Sequence, residues 1–527
     1  MTGSFLRSAA LGCALIAASA TAAQAMSISL VSPDGSISVS GELLDFDGET
    51  YRVRTAAGDV RVDASSVSCQ GDDCPGATPP SAKSFIITGS KTVGTGLMPA
   101  LAEAFTYATD TRLVQTVGES GSTTFSVARA NGDAVADIVL RMPGSTIGLR
   151  ELLDDQADMA ISARTLREEE ARQFRSAGWG DLSGPGVERI LALDGLLIVV
   201  AKSNPVRAIT LEDAARVFSG EFTNWSDLGG SDAPITVYAR EFASGTIEAF
   251  NNLVMKPAGH VLSPDAIVFD SDQGVSDAVA DDPSGIGISS LANVRNARAL
   301  AIRGACGLLT PPTVFAIKSE EYPLARRLFL YTPPERESRQ SKAFIDYILS
   351  DAAQDIIADR GFVDQAPSVV PANRQGLRFA ASIVENNPSV SLQRLREMTA
   401  ELIGAERLSL TFRFLAGGAE FDNKARTDIV RFAGMLAAGD FRDREILLVG
   451  YSDSRGDASK NRILSRARAD QVRQALLRDA PKGALDGVEI KVMGFGEMSP
   501  LRCNDTEAGR SVNRRVEVWL RPLPVKG

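Results

Sequence analysis

Three short stretches place small hydroxyl residues and glycine where an apolar run gives way to helical spacing. They are TGSKTVGTG over 88–96, PGST over 143–146 and ASGT over 243–246. Loops of this kind before a helix leave backbone N–H groups free, add hydroxyl donors and let the main chain approach a ligand closely. Converging, they would wrap a tetrahedral oxyanion. Arg240 ends the run TVYAR, just upstream of Ser244, Gly245 and Thr246, and its planar guanidinium suits phosphate. Charge-assisted hydrogen bonds contribute about 1.5–3 kcal/mol each, and micromolar affinity needs roughly 8 kcal/mol. About four to six such bonds therefore suffice, with no metal and no cofactor. Any one of these loops also reads as an ordinary helix cap, and Ser244 reads as a nucleophile. A nucleophilic serine needs a base, yet the chain has a single histidine, His260, in the loop-like KPAGHVLSPDA, and no Gly-x-Ser-x-Gly elbow. An enzyme is not expected.

A second constellation lies late in the chain. Asp453 follows the strand-like EILLVGYS, and Arg468 sits on the helical stretch ILSRARADQVRQALLRD. Leu464, Val472 and Leu476 share one helical face that should pack on a sheet, and Arg468 is at that face's edge, free to turn outward. One carboxylate and one guanidinium match the ammonium and carboxylate of a zwitterionic amino-acid end. A plain surface ion pair is the alternative.

The elements that must position these groups fall into three segments. Over 27–77, ISVSGELLDF, ETYRVRT and DVRVDAS alternate apolar and polar residues between the turns PDGS, FDGE and AAGD, which predicts a small β meander or barrel. Cys69 and Cys74, in SVSCQGDDCPG, would staple so short a module if the chain is exported. GATPPSAKS reads as a linker. Over 83–370, strand-sized runs (FIITG, LLIVVA, ITVYA, GIGIS) alternate with helical ones (LMPALAEAF, LEDAARVF, IEAFNNLV, SKAFIDYILS), which predicts α/β architecture with ligands at the carboxyl ends of strands. The stretch 111–143 has room for an extra hairpin. After a linking helix within 371–404, residues 405–523 read as strands and two helices in an α+β pattern.

The 527 residues carry a net charge of −10, which argues against nucleic acid or an anionic membrane surface as the main partner. LGCALIAASA followed by Ala23-Gln24-Ala25 reads as an export signal over 1–25, cut before Met26. Cys13 invites a lipid-anchor reading, but Ala10-Leu11-Gly12-Cys13 lacks leucine at the place that motif expects. No other run approaches the length of a transmembrane span. Cys306 and Cys503 cannot be paired from sequence, and the cysteine spacing matches no zinc motif.

Longer motifs carry two resemblances. LEDAARVFSGEFTNWSDLGG (211–230), ADMAISART (157–165), LDGLLIVVAKSNPV (193–206) and YPLARRLFLY (322–331) with AFIDYILSDAAQDIIADRGFV after it resemble the periplasmic phosphate-binding proteins of ABC transporters, the PstS type. The resemblance implies a two-lobed, type II periplasmic-binding-protein fold over 83–370, hinged near Leu193–Leu197 and Gly307–Ala316. It implies an anion site at Arg240, Ser244, Gly245 and Thr246, at Ser90, Thr92 and Val93, and at Ser145 and Thr146, with Arg164 facing the ligand. The family's proton-accepting aspartate, which favours phosphate over sulfate, is matched by Ala163, so the choice among oxyanions stays open. GYSDSRGDASKNRILSRARADQVRQAL (450–476), GFGEMSPL and NDTEAGRSVNRRVEV resemble the OmpA/MotB peptidoglycan-associated domain. This implies that Asp453 and Arg468 bind the diaminopimelate of the peptidoglycan stem peptide, supported by Asn461 and Arg515. Together the resemblances imply a periplasmic protein attached to peptidoglycan near the outer membrane, with an ABC permease as a further partner.

Overall fold

The computed structural model describes residues 27–523 except 33, 34, 36, 47–49, 72, 73, 75–82, 119, 120, 185, 243, 334, 335, 377, 378, 380–390 and 416–419. The expected export segment lies outside the described residues. The chain divides into two compact units, 1–82 and 83–527.

In the first unit, strands Gly58–Asp63, Thr50–Thr55, Ser38–Phe46, Ser27–Val31 and Ser68–Gln70 form a five-stranded antiparallel sheet in that spatial order. Alternation in Thr50–Thr55 sends Tyr51 and Val53 inward, against Ile28 and Leu30, and leaves Arg52 and Arg54 in solvent. Cys69 and Cys74 are disulfide-bonded, which stiffens a module with so small a core.

In the second unit, two lobes share an 11-stranded sheet; the span of 83–370 expected for them runs too far, because Val369–Pro371 pairs with Glu406–Arg413 in the C-terminal sheet. One long strand, Glu188–Val200, runs through both. From Glu188 to Gly195 it pairs with Ala325–Tyr331, and from Leu196 to Val200 with Gly285–Ser290. Covered on both faces, it is apolar almost throughout, ERILALDGLLIVV. In the first lobe, Lys83–Gly89 runs parallel to both Ala134–Arg141 and Met159–Ser162. In the second, Thr236–Arg240 runs parallel to Gly285–Ser290 and Ile267–Phe269. The carboxyl ends of each parallel set open on one side, where ligand loops belong. The hairpin expected within 111–143 is present: Thr111–Val117 pairs with Thr123–Arg129 at the outer edge of the first lobe's sheet.

The chain crosses from the first lobe to the second at Gly195–Leu196, within the expected Leu193–Leu197. The return crossing is not at Gly307–Ala316. Residues there form the strand Leu309–Thr310 and the helix Val314–Lys318 of the second lobe, and the chain crosses back at Tyr322–Ala325. There the Leu196 N–H donates to the Leu324 carbonyl (2.9 Å) and the Tyr322 hydroxyl to the Leu196 carbonyl (3.2 Å). Fully buried Asp194 accepts two bonds from Arg326 (2.6 and 3.0 Å) beside the hinge. Burial still pushes the Asp194 carboxyl up, with Arg326 acting against it.

The C-terminal sheet has the order Val369–Pro371, Glu406–Arg413, Arg515–Pro522, Arg444–Tyr451, Ile490–Gly494. Helices Asn423–Ala438 and Ala458–Asp479 cover one face around Phe412, Ile429, Leu448 and Val518. The linking helix, Leu392–Leu402, covers the other: Met398 and Leu402 pack with Leu447, Val449 and Trp519. Leu464 does not join the core. It is half exposed, while Asn461, Ser465, Ala469, Val472 and Leu476 are buried. The helix lies too close to the sheet for a leucine there: a Cβ on Gly450 would fall 1.8 Å from the Ser465 carbonyl oxygen, so small residues face the strands.

Candidate functional site

The three hydroxyl-rich loops meet at the mouth between the lobes. Gly89 adopts φ +131°, and a Cβ there would strike the Ile161 carbonyl oxygen at 2.0 Å, so glycine alone lets the first loop leave the sheet. Ser90 follows; its N–H donates to Ile161 (2.9 Å), and its buried hydroxyl oxygen has no hydrogen-bond partner among the described residues. In the second loop the Gly144 N–H donates to Gly89 (2.8 Å), and the Ser145 hydroxyl oxygen accepts from the Ala163 N–H (3.1 Å). From the other lobe, the Ser244 hydroxyl oxygen caps the helix Gly245–Phe250, accepting from the Thr246 N–H (3.1 Å). A Cβ on Gly245 would lie 3.7 Å from Ser90 Oγ, 3.7 Å from Ala163 Cβ and 4.0 Å from Thr92 Oγ1. The two lobes therefore meet at these residues. Val93 places its side chain in the first lobe's core.

Arg240 is buried at the end of its strand. It forms an ion pair with Asp272 and donates to the Asp270 carbonyl (2.8 Å), while its Nε has no hydrogen-bond partner among the described residues. The Thr246 hydroxyl donates to the other Asp272 oxygen (3.1 Å). Arg326 reaches from the hinge to the Gly245 carbonyl (3.0 Å).

Arg164 stands at the rim with all five N–H donors engaged. It binds Glu248 (2.9 Å) across the cleft, Glu170 twice (2.7 and 2.8 Å), the Thr146 hydroxyl (2.9 Å) and the Thr165 carbonyl (3.0 Å). Burial pulls its pKa down, and the two glutamates outweigh that to raise it. Arg167 adds a second bond to Glu248 (2.8 Å). Arg164 and Thr146 thus belong to a latch between the lobes.

In the C-terminal domain, Asp453 turns the chain after Arg444–Tyr451. One carboxylate oxygen accepts from the Arg455 N–H (2.9 Å) and the other from Arg514 (2.8 Å). Asn461 holds this loop by its carbonyls, at Asp453 (3.3 Å) and Arg455 (3.0 Å). Arg468 lies over the Phe414 ring at 5.4 Å, and its buried Nη1 has no hydrogen-bond partner among the described residues. Burial lowers the Arg468 pKa, nearby Arg514 lowers it further and Asp453 raises it. Asp453 and Arg514 form an ion pair (2.8 Å), and Arg468 lies near enough for both charges to act on it. Arg515 is elsewhere: fully buried, stacked over Tyr451 (4.2 Å) and bonded to Glu517 (2.6 Å) and the Ser499 carbonyl (2.8 Å).

The model for the PBP superfamily domain matches residues 75–352, more than half of the chain. The chain belongs to the PBP superfamily. The OmpA family model matches residues 413–514, so this PBP superfamily member is fused to an OmpA family domain. The phosphate-binding protein PstS of Borreliella burgdorferi is 28% identical over 225 residues, covering 42% of this chain and 77% of that protein. Over the C-terminal domain, the probable lipoprotein YiaD of Escherichia coli is 40% identical over 76 residues, covering 14% of this chain and 33% of that protein. Among solved structures, an ABC-type phosphate transport receptor from Vibrio cholerae is 26% identical with a TM-score of 0.41, covering 53% of this chain and 99% of that one.

Sequence reasoning missed Asp272, Glu248 and Arg514. Asp272 gave a faint signal, an acidic residue opening a helix after FDS. Arg514 was hidden beside Arg515 in the same motif. Nothing local marked Glu248 as the cross-lobe partner of Arg164.

Proposed function

We propose that this protein binds phosphate, or a closely related oxyanion, between its two lobes while its C-terminal domain holds it to peptidoglycan. The carrying observation is the buried Ser90 hydroxyl, without a hydrogen-bond partner among the described residues, which faces Gly245 of the opposite lobe beside Thr92. An unpaired buried polar group costs about 1–3 kcal/mol, and an oxyanion at this point relieves that cost. Ser145, Ser244, Thr246 and the backbone at Val93 complete the cradle, and Arg240, ion-paired with Asp272, supplies N–H donors from beneath it. Arg164 and Thr146 contribute by closing the rim. PstS relatives of this chain support the phosphate reading.

Wall attachment rests on Asp453 and Arg468, which offer the opposite charges that the zwitterionic end of diaminopimelate requires. The protein then works in the periplasm, associated with peptidoglycan. Calorimetric titration of the full chain with phosphate, arsenate and sulfate tests the first part, and absence of heat with every oxyanion overturns it. Pull-down on purified peptidoglycan tests the second.

One observation favours sensing or assembly over delivery to an ABC permease. The binding lobes and the OmpA family domain are parts of one chain, so a wall-held protein cannot carry ligand away by diffusion. Phosphate uptake that falls on deletion of the gene would instead favour transport.

A further inference from the structure

The C-terminal domain grips the binding lobes on both sides of their hinge. On the first lobe, Asn423 donates to the Ser183 carbonyl (2.7 Å) and to Glu188 (3.0 Å). At the return crossing, Arg413 binds Glu320 (2.7 Å) and the Ser319 carbonyl (2.9 Å), Asp422 accepts from Arg327 (2.7 Å), and Arg502 donates to the Tyr322 carbonyl (3.0 Å). On the second lobe the attachment is covalent. Cys306 lies in the turn between Ala301–Arg303 and Leu309–Thr310 and is disulfide-bonded to Cys503. The fit there is close, since a Cβ on Gly304 would fall 2.5 Å from Cys503 Sγ.

The residue after Cys503 belongs to the wall site. The Asn504 side-chain oxygen accepts from the Ser454 N–H (3.3 Å) and from Asn513 (3.0 Å). Ser454 follows Asp453, and Asn513 precedes Arg514. A chain of bonds therefore runs from the second lobe through Cys306, Cys503 and Asn504 to the loop that presents Asp453.

We propose that the C-terminal domain is a brace across the hinge, through which occupancy of the wall site and closure of the anion cleft are coupled, with the Cys306–Cys503 disulfide as the connecting link. The coupling part rests on the two-site function proposed above; the brace itself does not. Rotation of the second lobe away from the first must either pull Cys503 or break the contacts at Asn423 and Glu188. With the disulfide intact, opening is restricted. A stem peptide that fixes the Asp453 loop also fixes Asn504 and Cys503, and so favours the closed lobes. Linkage then requires anion binding to strengthen peptide binding by the same factor.

The test uses the full chain, as the native protein, as Cys306→Ser/Cys503→Ser and as Asn423→Ala, which cuts the opposite anchor while keeping the disulfide. Hydrogen exchange at the Gly245–Glu248 amides reports lobe opening without any ligand. Both variants are expected to exchange there at least tenfold faster than the native protein, and unchanged exchange in both overturns the brace. Inorganic phosphate is then titrated with and without a soluble diaminopimelate-containing muropeptide. The native protein is expected to bind phosphate at least fivefold tighter with muropeptide, a coupling of about 1 kcal/mol, and the serine variant to show less than a twofold effect. Equal affinity with and without muropeptide in a native protein that binds both overturns the coupling, as does coupling that survives loss of the disulfide. If the native protein binds neither, the functional reading fails, the coupling falls with it, and exchange alone decides the brace.

Discussion

Arg240 shows how a residue's role depends on a partner that sequence does not reveal. Its charge is shared with Asp272, thirty-two positions away, so the cradle holds a neutralised pair rather than a bare cation. Arg240→Ala removes the guanidinium and leaves Asp272 buried without its cation, held by the Thr246 hydroxyl alone of the two partners. Phosphate affinity is expected to fall at least a hundredfold, about 2.7 kcal/mol, while Asp272→Asn frees Arg240 and keeps affinity within tenfold of native. Calorimetry checks both, and near-native binding by Arg240→Ala would remove Arg240 from the site. The adjacent pair Arg514 and Arg515 separates in the same way. Arg514 bonds Asp453 and Glu507; burial lowers its pKa, and these two carboxylates raise it past the ordinary value. Arg514→Ala is expected to weaken peptidoglycan pull-down at least tenfold with little change in stability. Arg515→Ala, which strips Glu517 of a buried partner, is expected to cost about 3–5 kcal/mol in denaturant unfolding. The reverse pattern would exchange their roles. The loops at Ser90, Ser145 and Ser244 were legible because caps and glycine turns are local chemistry. Asp272 and Glu248 were not, because only the folded sheet brings them to Arg240 and Arg164.

At the scale of elements, periodicity told strands from helices well, and burial patterns followed it. It failed where two elements approach unusually closely. Spacing alone assigns Leu464 to the core face, but the helix rests on Gly450 and Gly494 through Ser465 and Arg466, which turns Leu464 outward. The second crossing also differs from the expected Gly307–Ala316, a stretch that instead forms the strand Leu309–Thr310 and the helix Val314–Lys318 just after Cys306. The crossing is marked instead by charge. Glu320 lies between Arg327 (2.5 and 2.8 Å) and Arg413 (2.7 Å). Burial opposes its ionisation, and these arginines outweigh burial and hold its carboxyl well below the usual range. A carboxyl with a depressed folded pKa stabilises fully above its unfolded value, near 4.3, and that stability is lost as pH falls toward the folded value. The melting temperature is therefore expected to drop progressively below about pH 4.3. Glu320→Gln should lie about 3–5 kcal/mol below native near pH 7, with the gap narrowing on acidification. A constant gap from pH 7 to pH 3 would contradict this assignment.

At the scale of the molecule, sequence separated the binding lobes from the C-terminal domain but gave no sign that they are bonded together. Two cysteines 197 positions apart carry no local signal, and the arginines along the interface look like ordinary surface charge until the fold buries them. Arg502 is one of these: burial, with Arg413 nearby, pushes its guanidinium down to about 10, which marks a cation enclosed between domains rather than one in water. Such an interface joins two cores into one cooperative unit. Closing a loop of this length removes chain entropy worth about 5 kcal/mol from the unfolded state in the simple entropic account, and the burial around Glu320 and Arg502 adds contacts that neither core has alone. Residues 83–523 are therefore expected to unfold in a single calorimetric transition under oxidising conditions. In Cys306→Ser/Cys503→Ser that transition should move to lower temperature and split in two, with near-ultraviolet signals from Trp225 in the second lobe and Trp519 in the C-terminal sheet no longer changing together. Two separate transitions in the native protein would show that the lobes and the C-terminal domain keep independent stabilities despite the bond, and that the ion pairs at the crossing contribute little cooperativity.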